Sequence, residues 1–131
     1  MRYGEAFAKL GYALTAPRQD WSAERDDGVC ITLWRSEIDW KTLTMDSRLH
    51  GGPLSDWSGL PGNAKRIRHV KRALDEFGGA VDTIIVDGIP GQGVIGATPW
   101  NPDDRKGLRW YVTDLEEATG HIRLEVRKPQ G

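Results

Sequence analysis

The 131-residue chain has room for one domain around a single core, and with 18 basic against 19 acidic residues it is close to neutral. That balance excludes a molecule coated in positive charge for packaging nucleic acid, so any basic site has to be a local patch. One cysteine, Cys30, excludes an internal disulfide and a cysteine-built zinc site, and no apolar run approaches the about 18 residues that a membrane span requires.

With no N-terminal signal pattern, the expectation is a single cytoplasmic domain over residues 1–131 with no membrane partner. Tyr3–Leu10 predicts a short helix with Tyr3, Phe7 and Leu10 on one face and Gly11 as its stop. Trp21–Arg25 and Val29–Arg35 read as a hairpin around a three-residue turn, Asp26-Asp27-Gly28. Val29–Trp34 is apolar on both faces, which predicts the central and most buried strand. Lys41–Asp46 predicts a third strand and Gly51–Gly62 a loop. Asn63–Phe77 predicts a second helix, capped by Asn63 and ended by Gly78-Gly79.

Val81–Val86 reads as a further apolar strand. Residues 88–107 hold five glycines and three prolines without periodicity, and read as a long functional loop. Leu108–Asp114 and His121–Arg127 read as a closing hairpin. The order of elements predicts an α+β domain with a curved, mostly antiparallel sheet or partial barrel of about six strands and two helices.

The segment Asn63–Phe77 is the most informative, because its charges run against the helix dipole. Lys65, Arg66, Arg68, His69, Lys71 and Arg72 crowd the first half, and Asp75 and Glu76 sit near the end. Local energetics prefer the reverse, by about 0.3–1 kcal/mol per charge. An anionic partner is one reason to keep such an order; a solvated surface helix with acids elsewhere is the other. On a helical wheel Lys65, Arg68 and Arg72 share an outward stripe, and Ile67, Val70, Leu74 and Phe77 share the core stripe. Arg105, Lys106, Arg109, Arg123, Arg127 and Lys128 add cations later in the chain. Trp21, Trp57, Trp100 and Trp110 are candidate stacking groups, with Trp34 and Trp40 assigned to the core.

Other motifs carry less chemistry. Gly91-Gln92-Gly93-Val94-Ile95-Gly96 matches a dinucleotide fingerprint, but Ala97-Thr98-Pro99 cannot start the helix that would hold a pyrophosphate. Glu37-Ile38-Asp39-Trp40-Lys41 has the acid–spacer–lysine pattern of half a metal-dependent nuclease site, and as a strand it would place Glu37, Asp39 and Lys41 on one face. His50 lies near Asp46 and Asp56 without a nucleophile beside it. No histidine pair has metal-ligand spacing, so no metal, cofactor or catalytic residue is assigned.

Pro17-Arg18-Gln19-Asp20-Trp21-Ser22-Ala23 leading into Val29–Trp34, with Pro61-Gly62-Asn63 and the helical run after it, is similar to small bacterial domains attached to HNH-type restriction nucleases. The order of elements over most of the chain also resembles the PUA/ASCH/EVE group of small curved-sheet domains. That resemblance implies a reader of RNA or of modified bases in DNA, without a catalytic domain of its own. The first expectation is therefore DNA or RNA binding, with Lys65, Arg66, Arg68, His69, Lys71, Arg72 and Arg105 on phosphates and Trp21 and Trp100 stacking on bases. The second is a protein-interaction module regulating or inhibiting a nuclease or defence system, since Trp and Arg also mark protein interfaces. The third is a small metal-dependent nuclease or hydrolase using Asp39, Lys41 or His50.

Overall fold

The computed structural model describes residues 1–17, 19–48, 59–89 and 93–128. Helix α1 (Tyr3–Lys9) is followed by β1 (Ser22–Arg25), β2 (Gly28–Trp34), a 3-10 turn (Arg35–Glu37), β3 (Ile38–Asp39), β4 (Thr44–Asp46) and α2 (Pro61–Glu76). Then come β5 (Ala80–Ile89), β6 (Gly93–Pro99), a second 3-10 turn (Pro102–Arg105), β7 (Arg109–Glu116) and β8 (His121–Arg127). The fold is α+β, with a mixed, mostly antiparallel sheet whose order is β1-β2-β5-β7-β8-β4-β3. Only β2 and β5 run parallel among the paired strands, from Cys30 opposite Asp82 to Trp34 opposite Val86.

Strand β5 organises the sheet. One of its edges carries β2; the other is shared, with β7 on Ala80 and Val81 and β6 on Ile84–Ile89. The sheet therefore divides along β5 into a part carrying β1, β2 and β6 and a part carrying β7, β8, β4 and β3. Alternation along β2 and β5 feeds two cores. Val29, Ile31, Leu33, Val81 and Ile85 pack with Val70 and Ala73 of α2, while Cys30, Ile84, Val86 and Ala97 pack with Ala6 and Phe7 of α1. The apolar run in β2 is thus buried on both faces, as its sequence implies, though the hub of the sheet is β5.

Several boundaries differ from expectation for identifiable reasons. The β1–β2 turn has two residues, because Gly28 already pairs with Arg25. The strand expected at Lys41–Asp46 is two short strands, β3 and β4. The Asp39 carboxylate accepts hydrogen bonds from the Lys41 and Thr42 amides, and Leu43 adopts φ +54°, so the chain turns where continuation was expected. Residues 88–107 are not one long loop: Ile89 still belongs to β5, and Gly93–Pro99 forms β6. An edge strand that holds two glycines and a proline and is broken by a bulge satisfies its backbone on β5 without a period-two apolar pattern to announce it. The sheet consequently has eight strands rather than about six. Of the fingerprint, Gly93–Gly96 lie in this strand, and Gly91 and Gln92 fall outside the described residues.

Among the described residues no helix is long and apolar enough to cross a membrane. The first turn of α2 is fixed by close approach. A Cβ on Gly62 would lie 2.3 Å from the Gln19 carbonyl oxygen and 2.6 Å from the Trp21 indole. Gly62→Ala is expected to destabilise the fold by about 1–3 kcal/mol, because backbone and a packed indole must move. Urea unfolding would check this through a lower midpoint at unchanged slope.

Candidate interaction surface

Helix α2 does not present its cations as one outward set. Its buried face runs through Gly62, Asn63, Arg66, His69, Val70 and Ala73, while Leu74, expected in the core, is exposed. The helix is rotated about its axis relative to the apolar stripe, and two of its basic side chains point inward.

Arg66 is buried, with its guanidinium 5.0 Å from the centre of the Trp21 ring and its Nη2 donating to the Gly120 carbonyl at 3.1 Å. Burial lowers its pKa to about 10, against the opposing pull of Glu37. Glu37 is itself only 5% exposed. Burial raises its carboxyl to about 7, with Arg66 working the other way. His69 is buried with Nδ1 2.6 Å from Ser22 Oγ and Nε2 3.8 Å from Glu24 Oε2. Burial lowers its pKa. This serine–histidine–carboxylate line is no catalytic triad, since Ser22 is 0% exposed and no substrate atom can reach its hydroxyl.

The remaining helix cations are tied to neighbours, with one exception. Lys65 Nζ lies 3.0 Å from Asp20 Oδ1. Burial opposes the charge on Asp20, but hydrogen bonds from the Ala16 amide and Lys65 keep its carboxyl below the ordinary value. Arg72 donates to the Arg25 and Asp26 carbonyls at 2.8 and 2.9 Å, clamping the β1–β2 turn, and pairs with Glu24 and Glu76. Lys71 pairs with Glu117 at 3.1 Å. Arg68 is exposed and makes no ion pair or hydrogen bond among the described residues. A shallow depression lined by Arg68, Lys71, Arg72, Asp75 and Glu76 is mixed in sign, and Glu24 and Glu117 bring two further acids to Arg72 and Lys71.

The candidate stacking groups are also placed differently from expectation. Trp100 is 4% exposed, packs edge-on against Trp110 at 5.7 Å and donates Nε1–H to the Leu108 carbonyl. Trp110 is 0% exposed. Both are core, because the chain after β6 folds back under β7. Arg105 covers Trp100 from outside, 4.4 Å from the ring. Trp21 is half-buried under Arg66, whereas Trp40, assigned to the core, is exposed. Trp57 and His50 lie outside the described residues. Glu37 and Asp39 do not share a strand face, since Glu37 sits in the 3-10 turn and Asp39 closes its own turn. No cluster of three His, Cys, Asp or Glu side chains suited to a metal occurs among the described residues.

What the sequence reading missed is an apolar surface. The register of β2 on β5 ends at Trp34 opposite Val86, so Asp87–Ile89 and the first half of β6 project beyond it as a two-stranded arm. A bulge leaves Ile95 unpaired between Val94, opposite Gly88, and Gly96, opposite Asp87. Bulges turn a side chain away from the regular pleat, and Ile95 is 87% exposed. Ile89 and Val94 are exposed beside it. Two other exposed apolar side chains border the arm. The Met1 carbonyl accepts from the Ala97 amide of β6. Trp40 lies under the Arg35 guanidinium, which pairs with Asp87 at the arm's base. Thus five of the seven large apolar side chains exposed among the described residues lie on this arm or on segments joined to its base: Ile89, Val94 and Ile95 on it, Met1 and Trp40 beside it. The signal that could have found it is negative: residues 88–102 contain no charged side chain in a chain that is 28% charged.

The interior of the α2 side yields a pH prediction. Glu37, raised from 4.5 to about 7 in the folded state, takes up a proton on folding, so its contribution is fully present below about pH 4.5 and is lost as pH rises through 7. The shift corresponds to about 3 kcal/mol. Glu37→Gln should therefore gain stability relative to the parent between pH 4.5 and 7, measured as the difference between two pH series of urea midpoints. The difference isolates Glu37 from His69 and His121, whose depressed values act in the opposite direction. Comparison of the chain with protein-family models, curated proteins and solved structures finds no match, so the PUA/ASCH/EVE-like resemblance stands on the sequence alone.

Proposed function

We propose that this domain is a protein-interaction module that docks through the β5–β6 arm. The observation that carries the reading is the concentration of exposed Ile89, Val94, Ile95, Met1 and Trp40 around a segment without charge. Exposed apolar side chains that gather into patches mark interaction sites on soluble proteins. Trp, Met and Arg are the residue types enriched at interfaces, and Trp40, Met1 and Arg35 flank the arm. A bulge on an edge strand aims Ile95 outward and interrupts the regular ladder that would invite indiscriminate strand addition.

The nucleic-acid reading draws less support from the same surface. Phosphate binding needs a set of cations free to exchange counter-ions for phosphates. On α2 two basic groups are spent in the interior, three have acidic partners, and Arg68 stands alone.

Two measurements separate these readings. Anisotropy of labelled single- and double-stranded DNA and RNA at low salt should show no binding beyond the about 10⁻⁴–10⁻⁶ M typical of non-specific contacts. A photo-crosslinking residue placed at Ile95 should give discrete protein adducts, and the same residue placed at Arg68 should give none. Tight, salt-sensitive nucleic-acid binding that Arg68→Ala weakens would instead return the function to α2.

A further inference from the structure

We infer that Glu37 is a proton-operated latch: protonated, it seats the 3-10 turn Arg35–Glu37 in the interior, and ionised, it frees that turn together with the Arg35 side chain. The latch is independent of what docks at the arm. Glu37 and Arg66 are only 5% and 7% exposed, yet they form no ion pair with one another. Arg66 gives Nη2 to the Gly120 carbonyl, faces the Trp21 ring, and leaves Nε buried without a partner. Glu37 accepts no hydrogen bond from any described residue. A carboxyl so placed is tolerated as the neutral acid and costly as the anion, which needs donors in place of water.

The charges that face Glu37 do not supply them. Arg66 of α2 draws the anion and Asp46 of β4 repels it. His121 of β8 interacts with both of these, and its lowered pKa leaves it neutral near pH 7. Asp87 of β5 is held by Arg35 on the outer side of the turn.

The turn can move as a unit. Trp34 before it pairs with Val86 and Ile38 after it pairs with Met45, so displacement is confined to Arg35–Glu37. Glu37 is buried at one end of the turn, while Arg35 at the other is exposed and pairs with Asp87 at 2.5 Å, its guanidinium 5.6 Å from the Trp40 ring. A carboxylate leaving for solvent therefore draws Arg35 away from Asp87 and Trp40. The inward state has its full advantage below about pH 4.5 and loses it as pH rises through about 7. Across that interval ionisation shifts the balance toward the outward state by up to about 300-fold.

Fluorine NMR of fluorotryptophan-labelled protein between about pH 5 and 9 tests this, with the Trp40 resonance assigned by Trp40→Phe. In the parent that resonance should move with a midpoint near pH 7, matched by the Glu37 carboxyl carbon in carboxyl-labelled protein. In Glu37→Gln it should keep its low-pH position throughout. Amides 36–39 of that variant should also exchange about tenfold or more slowly than the parent's at pH 8, a comparison at one pH that cancels the base dependence of exchange. Both midpoints are read on the parent, so the latch stays testable even where Glu37→Gln does not fold. A Trp40 resonance that stays still while Glu37 titrates, or that titrates unchanged in Glu37→Gln, would overturn the latch. A Glu37 carboxyl that titrates at its ordinary 4.5 would overturn it as well.

Discussion

The structure depends on the sharing of one edge of β5. A strand has two edges, and β5 gives one wholly to β2 and divides the other between β7 at its start and β6 along the rest. Ten residues are enough for both because β7 needs only Ala80 and Val81. That division lets a single polypeptide segment belong to two sheet regions and present successive residues to two cores. It also sets the reach of the arm. β2 ends level with Val86, so whatever β5 and β6 build beyond that point has no third strand to lie against.

The reversed charge order of α2 finds its cause inside the molecule. Each misplaced charge costs about 0.3–1 kcal/mol against the dipole, a small sum beside what these side chains do. Arg72 satisfies two carbonyls of the β1–β2 turn, Lys65 neutralises a buried aspartate, and Arg66 lies between Trp21 and the β7–β8 turn. The helix acts as a polar strut that holds the N-terminal hairpin and the last hairpin at a fixed separation. Arg66 and Glu37 are the costly members, because burial disfavours both charges. They persist close enough to moderate one another, and their proton affinities record the tension.

Much of this was legible in the residues, and the limits have physical explanations. Both helices, the two-sided burial of β2 and the final hairpin follow from periodicity, although α2 starts at Pro61 with Leu60 before it, so Asn63 lies inside the helix and does not cap it. The rotation of α2 does not, because a helical wheel weighs apolar residues alone, and here a guanidinium and an imidazole take core positions by finding Trp21 and Ser22. Trp100 illustrates the converse: polar company in sequence became core in space once the chain folded back beneath β7. Strand β6 is silent in sequence because its stability comes from the backbone ladder on β5, to which glycine contributes as well as valine. The arm's apolar character was visible only as missing charge.

The parallel pairing of β2 with β5 has a consequence for assembly over time. Two parallel neighbours need a long crossover, and here everything from Arg35 to Gly79 intervenes between the strands. On a ribosome the apolar β2 emerges far ahead of the strand that will cover its edge, and closing so distant a contact is slow. Until α2 emerges, the β1–β2 hairpin holds Val29, Ile31 and Leu33 uncovered, in a state that invites aggregation or a chaperone, and its edge stays open until β5 follows. Arg72 of α2 reaches the turn of that hairpin before β5 is made, so the helix is the first element able to hold the waiting strands in place.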